Sequence, residues 1–232
     1  MLMSTPGLVL HTTPYADSSV VAKVFTRQLG VRSYIIKGVR SRNGRVKQNM
    51  LQPLSSLDMV VYDNHRTNLN HIRELSPRHR QTEPDAVTNA MRFFMTEVLY
   101  RALREEEPMQ ELWDYVENLD CSTTPQTINA SMPVMFLLRV AHYMGIEPLD
   151  NHNNREQYFD LQEGRYVATP SEYTLPAHLS TLLHRYLSSA DIDTPTLRER
   201  TDLLNALIAY FQLHLTGFHN FTSHEILHQV LR

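Results

Sequence analysis

The chain has little cysteine: among its 232 residues Cys121 is the sole thiol. One thiol can neither close an intrachain disulfide nor build a multi-cysteine zinc site, and it suits a reducing compartment, so a cytoplasmic setting is expected. No apolar run approaches the roughly 18 residues that suggest a membrane span, and the first fifteen residues lack the charged start and long apolar core of a secretory signal. There is no Walker or Rossmann glycine loop and no Ser/His/Asp string with a nucleophile elbow, so these familiar routes to nucleotide or ester chemistry are missing. Lysine is scarce as well. Lys23, Lys37 and Lys47 are the only three in a total of 22 Lys and Arg. The remaining cations are arginines, whose planar fork suits bidentate phosphate contact and stacking on bases.

What is present is unevenly spread. The net charge of -3 conceals a front, residues 1–80, with 12 Lys and Arg against 4 Asp and Glu, and a rear, 81–232, with 10 against 21. A basic front and an acidic rear point to a polyanion-binding module joined to one employed differently. The cations concentrate in Lys37-Gly38-Val39-Arg40-Ser41-Arg42-Asn43-Gly44-Arg45-Val46-Lys47, which follows a strand-like run and contains no acid. A glycine-punctuated cationic loop leaving a strand is the usual form of a phosphate-contacting loop. Lys37, Arg40, Arg42, Arg45 and Lys47 are therefore the first candidates for nucleic-acid contact.

Around that loop the pattern is β. Strands are predicted over Gly7–His11, Ser19–Thr26, Arg32–Lys37, Leu54–Tyr62 and Asn68–Leu75, with turns at 12–18 and 28–30. Five short strands in so few residues predict a five-stranded antiparallel barrel of the oligonucleotide/oligosaccharide-binding (OB) type. Strand alternation puts Lys23 with Phe25, and Arg32 with Tyr34, on shared faces. A ring beside a cation is what a single strand needs, so Lys23, Arg32 and Tyr34 are supporting candidates. Phe25 is better suited to the core, and Tyr34 is balanced between core and surface.

After Pro77–Pro84 the period becomes helical. Helices are expected from Asp85, from Met109, over Ile128–Met144 with Gly145 as its cap, and over Pro176–Leu187, Arg198–Leu215 and Ser223–Leu231. A small hairpin is expected across Tyr158–Val167. The fold class is thus α+β: an OB domain over 1–80, then an all-α domain over 81–232 interrupted by a polar segment. His224-Glu225-Ile226-Leu227-His228 reads as His-Glu-x-x-His, the zinc-hydrolase pattern. The chain ends four residues later, leaving no downstream third ligand, so no metal and no catalytic residue are expected. A zinc hydrolase is the remote alternative, and an RNA-binding OB protein the nearer one.

Several stretches together resemble the bacterial recombination and repair protein RecO family. They are Val9-Leu10, Phe25-Thr26-Arg27-Gln28-Leu29-Gly30, Lys37-Gly38-Val39-Arg40, Leu51-Gln52-Pro53-Leu54, Phe136-Leu137-Leu138-Arg139 and Gly145-Ile146-Glu147-Pro148-Leu149, in the family's order. The resemblance implies an OB barrel that binds single- and double-stranded DNA and a helical domain that docks proteins. It also implies a role without catalysis or cofactor: annealing complementary strands and, with RecR, helping RecA displace the single-strand-binding protein SSB. Arg139 would lie near the groove for the acidic, apolar-tipped SSB tail. Many members carry a four-cysteine zinc element after the Gly-x-x-Pro exit. Here residues 150–168 hold no cysteine, so a metal-free hairpin packed on Tyr158, Phe159 and Tyr166 is expected.

Overall fold

In the computed structural model, which describes residues 2–41, 46–63, 69–79, 85–105, 107–188 and 195–230, the front of the chain forms five strands. These are β1 (Leu2–Tyr15), β2 (Ser19–Thr26), β3 (Gly30–Ile36), β4 (Ser56–Tyr62) and β5 (Asn70–Pro77). They close into a barrel in the order β1-β2-β3-β5-β4. All neighbours are antiparallel except β3 and β5, which pair in parallel at Tyr34–Asn70 and Ile35–His71. The expected all-antiparallel barrel is corrected at this seam, because an odd ring of strands cannot alternate in direction all the way round.

β1 is longer than its sequence suggests, and residues 12–15 are strand rather than turn. Pro14 hid this. β1 pairs with β4 only as far as Leu8 and with β2 from Gly7 onward, so Pro6 and Pro14 both sit where the strand has one neighbour and a missing N–H is tolerated. The barrel interior is filled by Val9, Val20, Ala22, Val24, Tyr34, Ile36, Leu57, Met59 and Val61, with Leu29, Val39 and Leu51 closing its ends.

Packing divides the chain into two units, Met1–Thr127 and Ile128–Arg232. The change from strand to helix falls near residue 80, but α1 (Ala86–Ala102) and α2 (Gln110–Ser122) belong to the barrel's unit. Asp85 caps α1 by accepting from the Thr88 N–H at 2.8 Å. Leu8, Phe25 and Val31 lie outside the interior cluster yet are at most 1% exposed, which makes them the barrel's contribution to a second, outer core. Buried Trp113 of α2 donates its indole N–H to the Phe25 carbonyl at 2.9 Å. The turn before β3 brings the chain against Glu107. Gly30 has φ +67°, and a Cβ there would collide with the Glu107 backbone. The Thr26 hydroxyl holds the same turn, donating to the Gly30 carbonyl and accepting from the Leu29 N–H.

Three of the rear's acids serve this packing. Asp114, Glu117 and Asp120 recur every three residues on α2, and they bind Arg27, Arg78 and Arg92 respectively. Arg27 grips Asp114 through two bonds of 2.7 and 2.8 Å, which holds that carboxyl below the usual range. Burial has the opposite effect on Asp120 and, despite Arg92, pushes its carboxyl up.

The second unit contains α3 (Met132–Tyr143), β6 (Tyr158–Asp160), β7 (Arg165–Val167), α4 (Ala177–Leu187), α5 (Leu197–His214) and α6 (Ser223–Val230). Pro133 sits in the first turn of α3, which begins later than Ile128, and Gly145 follows it at φ +71°. A Thr196–Glu199 capping box opens α5. The β6–β7 hairpin is clasped by side chains. Asn151 exchanges two bonds with the Tyr166 backbone, and Asp160 accepts from Gln162 N, Glu163 N and the Ser171 hydroxyl. Phe159 and Tyr166 are buried beneath it, with Tyr158 half-buried. The segment has no thiolate, and among the described residues no group of three or more His, Cys, Asp or Glu is placed to hold a metal, so the residues here do not fit a zinc element. No helix among the described residues is long and apolar enough to cross a membrane.

Candidate nucleic-acid interface

The basic segment leaves β3 at one mouth of the barrel. Lys37 and Arg40 are exposed, while Val39 between them is only 4% exposed and anchors the segment. Gly38 turns the chain at φ +74°, and Ser41 N–H closes the turn on the Gly38 carbonyl at 3.1 Å. The Arg40 N–H donates to the Ser18 carbonyl at 3.1 Å, which ties the segment to the β1–β2 turn. Lys47 is exposed where the chain returns, just before a 3₁₀ turn at Gln48–Leu51. Among the described residues no carboxylate forms an ion pair with Lys37 or Arg40, unlike Arg27, Arg78 and Arg92. Arg42 and Arg45 lie outside the described residues.

The supporting candidates fare differently. Arg32 and Tyr34 do share a face, but it is the inner one: Arg32 is 5% exposed and Tyr34 1%. Arg32 lies 4.0 Å from the buried Asp63 carboxylate. Burial pushes the Tyr34 phenol well above its ordinary pKa. Neither side chain can meet a strand running over the barrel, and both are corrected to interior residues. Alternation identifies which side chains share a face, but the sequence does not say which face is inside. Lys23 faces outward and is half-buried, with its Nζ 3.1 Å from the Glu105 carboxylate and 4.9 Å from the centre of the Tyr100 ring. Phe25 shares its face and is covered completely.

The ring-beside-cation arrangement occurs elsewhere. His11 pairs with Lys23 across β1 and β2, and its ring centre lies 5.2 Å from that of Tyr100. Tyr15, on the same face of β1, is also exposed. The available signal was the alternation His11-x-Thr13-x-Tyr15, which Pro14 disguised. Nothing local marks Tyr100, a helix residue, as a neighbour of β1.

In the second unit the two histidines of His-Glu-x-x-His are 5.8 Å apart, ring centre to ring centre and edge-on, and Phe221 stacks on His224. Burial and the neighbouring His224 keep the His228 imidazole below its usual pKa. Arg139 is exposed on α3 and borders a groove with Met135, Leu138, His142, Tyr186, Leu187 and Glu147, whose carboxylate lies 2.7 Å from the His142 ring.

The fold and the segment define an OB-barrel protein that presents exposed Lys37 and Arg40 at one barrel mouth. A family model described as "Recombination protein O N terminal" matches residues 1–80. The chain is similar to "DNA repair protein RecO" of Phocaeicola vulgatus, with 27% identity, and of Bacteroides fragilis, with 28%, each alignment covering 99% of both chains. It is 28% identical to the protein of the same name from Porphyromonas gingivalis over 94% of each chain. The chain is thus similar to RecO proteins along almost its whole length, with the family model matching its first 80 residues.

Proposed function

We propose that the protein is a DNA repair and recombination mediator without catalytic activity. Its barrel holds single- and double-stranded DNA by the phosphate backbone, which promotes annealing of complementary strands. Together with RecR it loads RecA onto SSB-coated DNA. The observation that carries this reading is the pairing pattern of the front cations. Arg27 and Arg78, which face α2, are neutralised by Asp114 and Glu117, while Lys37 and Arg40, at the barrel mouth, keep their charge for a ligand. Annealing needs a cationic surface that screens two backbones without reading sequence, and exposed side chains on a turn satisfy that need. The names of the full-length relatives support the repair setting.

Salt titration tests the interface. Replacing Arg40, Arg42 and Arg45 together by Ala should weaken binding to every sequence alike. It should also lower the slope of log affinity against log salt by about 2 for single strands, at roughly 0.7 per phosphate contact. Slopes that overlay would remove these arginines from the interface, and a strong preference for RNA over DNA would move the protein to RNA. In the second unit, the Arg139 groove suits an acidic tail ending in apolar side chains, as that of SSB does. Arg139→Ala should abolish binding of an SSB tail peptide and leave DNA affinity unchanged.

A further inference from the structure

A pocket of about 360 Å³ opens at the same barrel mouth, beside Arg40. Its apolar lining is Pro14, Val20, Val39 and Leu51, the last three at most 6% exposed, and its polar groups are Thr12, Gln48 and Arg40. None of these residues is acidic. Its walls come from β1, β2, the segment after β3 and the 3₁₀ turn, and the bond from Arg40 N–H to the Ser18 carbonyl ties that segment to the β1–β2 turn. A largely preformed apolar slot with a few polar groups is the ordinary form of a small-ligand site. Any ligand here lies beside Arg40, so its attached chain is favoured if anionic.

We propose that this pocket takes one unpaired base of single-stranded DNA while Arg40 holds an adjacent phosphate. The inference rests on the DNA-binding reading above and adds to it an expected preference for single strands at this mouth. A base has flat apolar faces for Val20, Val39 and Leu51 and hydrogen-bonding edges for Thr12 and Gln48. The phosphate attached to its nucleoside carries the negative charge that Arg40 selects. A base already paired in a duplex is committed to its stack and its partner and cannot enter without being flipped out. Duplex DNA is therefore held at this mouth by its phosphates alone.

The test measures equilibrium binding of the full chain to oligothymidine, to an abasic oligomer of equal length and to a duplex. The proteins are wild type and two pocket-filling variants, Thr12→Phe and Gln48→Phe, each checked for a wild-type melting temperature. Wild type should bind oligothymidine about tenfold more tightly than the abasic strand, in keeping with the contribution of one stacked base. Either filled variant that melts like wild type should lose that tenfold while binding the abasic strand and duplex as before. Equal wild-type affinity for base-bearing and abasic strands, or losses of equal size on all three ligands, would overturn the pocket while leaving DNA binding intact. Displacement of oligothymidine by micromolar thymidine monophosphate would reassign the pocket to free nucleotides and overturn it too. No binding to any of the three would sink the DNA-binding reading itself.

Discussion

A chain stopped after residue 80 should fail to fold, whereas one stopped after Thr127 should fold alone. Residues 1–80 contain every strand of the barrel and all of its interior cluster, so by topology they look sufficient. The outer face says otherwise. Leu8, Phe25 and Val31 are at most 1% exposed but sit outside that cluster, and α1, α2, Glu105 and Glu107 lie against this side of the barrel. Re-exposing three such side chains costs about 1.5–3 kcal/mol each, or about 5–9 kcal/mol together. A domain this size is stable by only about 5–15 kcal/mol, so the loss consumes most or all of it. The shortened chain also leaves Arg27 and Arg78 without Asp114 and Glu117. Circular dichroism with thermal melting of both fragments is the assay. The longer should melt in one cooperative step, and the shorter should show no transition. A cooperative melt of the 1–80 chain within a few degrees of the longer one would refute the reasoning, and the helices would then be appended rather than integral.

Other consequences are open to measurement. Gly30→Ala combines a left-handed backbone, worth about 1–2 kcal/mol, with a collision against Glu107, so chemical denaturation should show a loss of about 2 kcal/mol or more. Tyr34→Phe removes a buried hydroxyl that has no hydrogen-bond partner among the described residues, so stability should hold or rise by about 1 kcal/mol, with DNA affinity unchanged. The pH dependence of stability should contain two opposed contributions. Asp114, whose folded pKa is depressed, stabilises above its unfolded pKa near 4 and loses that contribution as pH falls through the folded value, so Asp114→Asn should flatten the acid limb. Asp120, whose folded pKa is raised, contributes in the other sense. Its stabilisation is present below the unfolded pKa and is lost as pH rises through the folded one, so Asp120→Asn should remove a decline between those values.

Periodicity alone determined the succession of five strands and then helices, because side-chain alternation and the 3.6-residue repeat are local properties. β2 is legible to the residue. The Thr26-to-Gly30 turn and the stop at Gly145 follow from glycine's access to positive φ. The basic segment was equally legible, since charge density and glycine spacing need no partner to be recognised. Tertiary structure decided what depends on two distant stretches meeting. It placed Arg32 and Tyr34 inside the barrel, because only closure distinguishes a strand's two faces. Through Trp113 and the acids of α2 it joined two helices to the barrel. It also brought His11 to Tyr100 and Thr12 to Gln48, pairs whose members lie too far apart in the chain for any local pattern to link them.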